Sequence, residues 1–449
     1  MEKWIVCCET AQKNYAVQGL AFFVLGLMIG QIPLMAIILL LLIPLVLIYF
    51  REDTLFLIPY LLVLALLFET IGRSLALSPW IPWEIGKYLG ISLLVYGLFL
   101  LPRIKRNKIV ILGVFALLLP GIIITFFVSD RIFGDLVFNV GGIVFLLMAA
   151  YFFSNYQMTR EHLESVIIFF LLSFLTVIGI LLINGPNPLD IEYTIIGNDQ
   201  LYLYNNPNQL ATLFSSGFAI TIFSFIFLGK QKLWLYLVTA IYLFCALLSF
   251  SRGGLFIGIG TIIVIICFLL FKKKRLAILL LFIVSSQLFI CFPLVNVLTN
   301  GKLLMRYQGE TSGTLLGEEE KSLNSYSSGR LRIIQSDITL FINHPFWGVG
   351  VGQSSVYRQQ YKYPFPLAHT EFSRLLSEHG LLGVLLIGIL SYLPLSRIIE
   401  LKEEPLLQAF ILLCTFLAIG HTMHSAMRTS VSPILYGLGF IQFRFEKEN

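Results

Sequence analysis

An all-α bundle of membrane-spanning helices is the fold class that three observations predict. Hydrophobic residues make up 57% of the 449-residue chain and charged residues only 12%, about half the charge of a soluble domain. The apolar residues fall in long unbroken runs, among them Ile109–Val128, Val166–Ile183 and Leu276–Val295. Each is close to the roughly 20 residues that a helix needs to cross the hydrocarbon core. The short alternating segments of a membrane β-barrel do not occur.

Along the chain, spans are expected to begin near Ala16, Ile32, Leu55, Lys87, Ile109, Val137, Ser165, Gln209, Leu233, Gly254, Leu276, Gly380, Leu406 and Ser430. The first two read as one tight hairpin, so the bundle has about 12–14 spans. The chain then divides into residues 1–295 with about eleven spans, a large loop at 296–379, and residues 380–449 with about three more. The opening "MEKWIVCCETAQKNYAVQG" has no apolar core followed by a small-residue cleavage site, so no cleavable signal peptide is expected. Cys245, Cys267, Cys291 and Cys414 lie in apolar runs and read as buried small hydrophobes.

Loop charge sets the orientation. Alternate loops carry "RIKRNK" (Arg103–Lys108), "GKQK" (Gly229–Lys232) and "KKKR" (Lys272–Arg275). Leaving out the large loop, one side holds eighteen Lys and Arg and the other five: Arg73, Lys87, Arg131, Arg252 and Arg428. Both termini are therefore expected in the cytoplasm, with Arg252 and the large loop on the outer side. The net charge of +6 is this loop bias, and no nucleic-acid partner is expected. Within the loop, Leu331, Ile334, Ile338 and Phe341 recur at helical spacing until His344-Pro345 stops them. They predict an amphipathic helix on the outer membrane face or over a cavity mouth.

The residues able to do chemistry cluster on that outer side. In "SFSRGG" only four residues separate two apolar runs, and one of them is Arg252. It reads either as an interfacial anchor or as the holder of an anion in an outward cavity. A guanidinium grips phosphate bidentately, and Gly253 and Gly254 permit close backbone approach. Gly254 and Gly258 also form a G-x-x-x-G, a helix-packing pattern. "PLAHTEFSRLLSEHG" holds His369, Glu371, Arg374, Glu378 and His379. Glu371, Arg374 and Glu378 are helical neighbours that can form an ion-pair ladder. His369 can serve structure, or accept a proton from an incoming hydroxyl. "NNPNQLA" places Asn206 and Asn208 at a span start, where amides cap the helix or bind sugar hydroxyls. "GVGVG" (Gly348–Gly352) lacks the strand and lysine of a phosphate loop and reads as a turn. "HTMH" (His421–His424) would need further ligands to bind a metal. No G-x-x-x-x-G-K-[ST] and no outer D-x-D occurs, so no cofactor and no metal is expected.

Taken together, "NNPNQLA", "SFSRGG", "SGRLRIIQSDITLFINHPFWGVGVGQS" and "AHTEFSRLLSEHGLLGVLL" resemble the O-antigen ligase and O-antigen polymerase superfamily, in order, over Asn205 to Leu386. The resemblance implies a metal-independent glycosyltransferase of the bacterial inner membrane that works at the periplasmic face. It implies a glycan donor on undecaprenyl pyrophosphate and, as acceptor, a sugar hydroxyl on lipid A–core for a ligase. For a polymerase the acceptor is a second lipid-linked glycan. Carried over by position, the motif arginine is Arg252, the arginine opening the loop segment is Arg330, and the functional histidine is His369. Arg332 is the substitute for Arg330, Arg374 a third clamp, and Glu371 a second candidate base. The readings from other classes are a flippase of lipid-linked sugars and a non-catalytic sensor.

Overall fold

Bilayer thickness dictates the dominant elements of the computed structural model. It describes residues 15–32, 34–75, 85–102, 112–113, 123–127, 132–184, 207–228, 233–310, 314, 317, 320–327, 330–360, 370–425 and 429–443. Among these, seven helices are long and apolar enough to cross a membrane: Thr54–Gly72, Arg160–Ile183, Asn208–Phe227, Arg252–Lys272, Lys274–Leu298, Leu381–Glu400 and Pro405–His424. Five shorter apolar helices accompany them: Val17–Gln31, Leu34–Tyr49, Ile85–Leu100, Val140–Asn155 and Leu233–Leu248. The chain is an all-α, multi-pass membrane protein. Most of the expected span at 109–128 lies outside the described residues, as do Asn206, His369 and Arg428.

The Asn208–Phe227 helix forms the axis of the bundle and is buried from Gln209 to Phe227. Its hydroxyls need partners in an apolar interior and find them one turn back: Thr212 donates to the carbonyl of Asn208 at 2.7 Å, and Thr221 to that of Gly217 at 2.6 Å. The G-x-x-x-G packs as expected, since a Cβ at Gly254 or Gly258 would press on Ala211 or Ser215 of this axial helix.

Two ends of the bundle are distinct, about 30 Å apart by helix rise. At one end lie Asn208, Ser251 and His424, joined by side-chain hydrogen bonds. At the other, Arg160 donates to the carbonyl of Phe227 at 2.9 Å, and Phe223, Phe227 and Phe410 stack. The parallel strand pair Gln157–Met158 and Gln442–Phe443 lies at that second end, with Arg397 donating to the carbonyl of Ile441 at 2.9 Å. The run Lys272–Arg275 belongs to the second end as well, at the far terminus of the Arg252–Lys272 helix.

Three expectations are corrected here. The segment after Ser430 forms only an eight-residue helix, Val431–Leu438, buried on most sides and too short to cross a bilayer. Its first residue follows Ser430, whose N–H donates to the buried Glu69 carboxylate at 2.8 Å. Lys87, expected as a loop charge, is buried against Gly141. Cys291 and Cys414 are buried, but Cys267 is exposed on a span, where apolar lipid is as good a neighbour as protein.

Candidate active site

"SFSRGG" makes its turn through an unusual backbone. The Leu233–Leu248 helix ends, and Phe250 takes a positive φ of 52°. That left-handed conformation costs a bulky residue roughly 1–2 kcal/mol. Ser251 follows as the residue before the Arg252–Lys272 helix, and its hydroxyl does not cap that helix. It lies instead 2.8 Å from Asn208 Oδ1 and 2.9 Å from His424 Nε2. The other ring nitrogen, His424 Nδ1, accepts from the guanidinium of Arg330. Four separate elements thus meet at one point: the start of the axial helix, the "SFSRGG" turn, the end of Pro405–Ser425, and the start of the loop helix Arg330–Asn343.

Around this junction positive charge accumulates. Arg252 is buried. Arg330 is mostly buried, and burial first, then the neighbouring charges of Arg252 and Arg306, lower its pKa to about 10. At neutral pH it keeps its charge. Arg306, on the short helix Lys302–Tyr307, also lies within electrostatic reach of Arg252. Tyr307 beside it is pushed up by burial and packs edge-on against Phe256 at 5.9 Å and Phe292 at 5.8 Å. Three guanidiniums therefore converge beside an aromatic wall at one end of the spans. Like charges brought together repel, and an arriving anion relieves that repulsion.

A second polar group organises the loop. Asp337 and Arg358 form a fully buried ion pair, and Ser373 donates to Asp337 Oδ2 at 2.7 Å. Arg374 is held between Glu371 and Glu378. Glu378 also accepts from Ser354 at 2.9 Å and from the Gly352 backbone. Burial nevertheless raises its pKa to about 7, and burial lowers that of neighbouring His379 to about 3. The "GVGVG" turn serves this group: Val349 and Gly350 donate to the carbonyls of Ser377 and Glu378, at 2.9 and 3.2 Å. It caps the Glu371–His379 helix of its own chain. Gly380 then reverses direction at φ 59°, where a Cβ would overlap the Pro345 carbonyl.

The site residues expected from sequence fall into groups. Arg252, Arg330 and Asn208 share the junction. Glu371 and Arg374 belong to the second group, where each is engaged by the other. Arg332 is exposed and is not among the charges acting on Arg330. His369 and Asn206 lie outside the described residues. Gly253 does not make room for a ligand: a Cβ there would overlap the ring of His424. Arg306, Ser251 and the role of His424 were not foreseen. By sequence "HTMH" suggests only a metal site, whereas His424 is engaged by Ser251 and Arg330, and His421 Nε2 lies 2.7 Å from Ser216 Oγ. The loop helix forms over Arg330–Asn343 as predicted, but its buried face is Ile333, Ser336, Asp337 and Leu340. Leu331 and Ile338 point outward.

Residues 235–388 match the family model described as O-antigen ligase. The matched segment contains Arg252, Arg306 and Arg330, and leaves out Asn208 and His424. No curated protein matches the chain.

Proposed function

We propose, from the match of residues 235–388 to the O-antigen ligase model, that the chain is a membrane glycosyltransferase that moves a glycan from undecaprenyl pyrophosphate onto a sugar hydroxyl at the outer face of the cytoplasmic membrane. The reading is a ligase, with lipid A–core as acceptor. The observation that carries it is that His424 brings Arg330 to the turn that holds the buried Arg252, at one end of the spans. A lipid diphosphate keeps its charged group at that level while its tail lies among apolar helices.

In the transfer, the acceptor oxygen forms a bond to the anomeric carbon. The bond from that carbon to the pyrophosphate oxygen breaks, and its electron pair leaves with the diphosphate. The hydroxyl proton passes to a base, for which His369 is the candidate. The guanidiniums stabilise the charge that builds on the departing diphosphate, the task a divalent ion performs in other transferases. The basic run Lys272–Arg275 at the opposite end of the Arg252–Lys272 helix supports an outward-facing arginine group. Residues 296–379 then form the extracytoplasmic unit, and both termini are cytoplasmic.

The test uses full-length protein, a donor lipid extracted from cells that make it, and EDTA in place of any metal. Lipid A–core is supplied in one arm and donor alone in another. Transfer to lipid A–core that falls about 100-fold in Arg252→Ala or Arg330→Ala supports the proposal. Chain extension in the donor-only arm would replace the ligase reading with a polymerase. Undiminished transfer in both arginine variants would overturn the clamp.

A further inference from the structure

His424 touches two parts of the matched segment from outside it, and the chemistry of those contacts fixes its proton. A guanidinium has only donors, so His424 Nδ1, which receives Arg330, carries no proton. The ring proton of the neutral imidazole is then on Nε2, 2.9 Å from Ser251 Oγ. The Ser251 hydroxyl in turn donates to Asn208 Oδ1 at 2.8 Å. The bonds run in one direction, Arg330 to His424 to Ser251 to Asn208, with every donor facing an acceptor. An imidazolium would break this order, because it would turn an N–H towards the Arg330 guanidinium. His421, one turn back on the same helix, meets Ser216 of the axial helix at 2.7 Å, and Ser216 donates onward to the Thr212 carbonyl at 2.8 Å. The Pro405–Ser425 helix is thus fastened to the axial helix at two levels. The absent side chain of Gly253 leaves the space in which the His424 ring sits.

We infer that His424 is the positioning residue that seats Arg330 among the arginines: it ties the start of the loop helix to the "SFSRGG" turn through a neutral, Nε2-protonated ring. It does not contact the reacting atoms. The inference rests on the proposed diphosphate clamp for its functional meaning, but the tether itself has an independent readout.

Two measurements on full-length protein in lipid nanodiscs test it. The first is binding of undecaprenyl pyrophosphate carrying no sugar. His424→Ala and Arg330→Ala are each expected to weaken binding about tenfold or more, the usual worth of a hydrogen bond to a charged group. The double variant should be no weaker than the worse single one, since both remove one interaction. His424→Asn sets an amide oxygen where Nδ1 stands and should restore binding. His424→Gln reaches only the Ser251 side and should not. Additive losses, or equal rescue by Gln and Asn, would overturn the inference.

The second measurement is hydrogen exchange over residues 330–343. Faster exchange in His424→Ala, reversed in His424→Asn, supports the tether, and unchanged exchange overturns it. If Arg252→Ala and Arg330→Ala bind the diphosphate as wild type does, the clamp reading falls while the exchange result still decides the tether.

Discussion

Gly253 and His424 occupy one another's space: any side chain at 253 would enter the imidazole ring that bridges Ser251 and Arg330. Gly253→Ala is therefore expected to destabilise the protein by about 1–3 kcal/mol, as overpacking does, and to lower transfer together with it. Adding His424→Ala vacates the space. Thermal unfolding of the double variant should recover most of the lost stability but none of the activity. A Gly253→Ala protein of full stability and full activity would mean that the ring does not sit there.

Arg306 was not among the sequence candidates, and its charge acts on both Arg252 and Arg330. Arg306→Ala should weaken binding of undecaprenyl pyrophosphate about tenfold or more, as loss of a charge-assisted hydrogen bond does. Arg306→Lys should recover part of the loss, because it keeps charge without the planar fork. Binding as tight in Arg306→Ala as in wild type would remove it from the site.

The Asp337–Arg358 pair is fully buried in the loop unit. Removing one partner strands the other charge, so Arg358→Ala should cost about 3–5 kcal/mol. Replacing both, as Asp337→Leu with Arg358→Met, should cost less than Arg358→Ala alone. Limited proteolysis across residues 330–360 reads this locally. Equal protection in all three proteins would contradict a structural role for the pair.

Glu378 and His379 predict opposing pH effects on the loop. Glu378 has a folded pKa of about 7 against an ordinary 4.5, so its stabilisation is complete below about 4.5 and is lost as pH rises through 7. His379 has a folded pKa of about 3 against an ordinary 6.5, so its stabilisation is complete above 6.5 and is lost as pH falls towards 3. Between 4.5 and 6.5 the two oppose each other. Glu378→Gln leaves only the histidine effect, and stability should then rise from pH 4.5 to 6.5 and stay level above. Unfolding temperatures from pH 4.5 to 8 check the sign. A variant that still loses stability between pH 6.5 and 7 would show that another group titrates there.

Leu331, Ile338, Ile342, Phe346 and Trp347 form an exposed apolar face on the loop helix and the turn after it. The face runs on to the start of a span: the Leu381 N–H donates to the Pro345 carbonyl at 2.7 Å, and Leu381, Val384 and Leu385 are exposed along that span. Continuity of this kind fits the headgroup layer of a leaflet, the usual seat of tryptophan. With the other four tryptophans changed to Phe, Trp347 fluorescence should be quenched by lipids brominated near the headgroup and not by aqueous iodide. The reverse pattern would put this face in water.

Most of the fold was legible because a bilayer admits few solutions: an uninterrupted apolar run must be a helix. Arg252 was legible as a guanidinium in a four-residue turn that had no need of one. The loop helix was legible from Leu331, Ile334, Ile338 and Phe341, but its orientation was not. Periodicity finds an apolar stripe without saying what covers it, and here the inward face holds Ser336 and Asp337, made tolerable by Arg358 and Ser373. His424 could not be assigned from sequence. Its partners stand 94 and 173 residues away, and nothing local distinguishes a ring that orders three other side chains from one that waits for a metal.

The strand pair of Gln157–Met158 with Gln442–Phe443 fastens two distant stretches of the chain at one end of the bundle. It laces the middle of the chain to its tail below a plug of stacked rings from Phe223, Phe227 and Phe410. The second strand is thereby held to the Arg160–Ser173 helix, whose first residue donates to the Phe227 carbonyl at 2.9 Å, so strain on one is felt by the other.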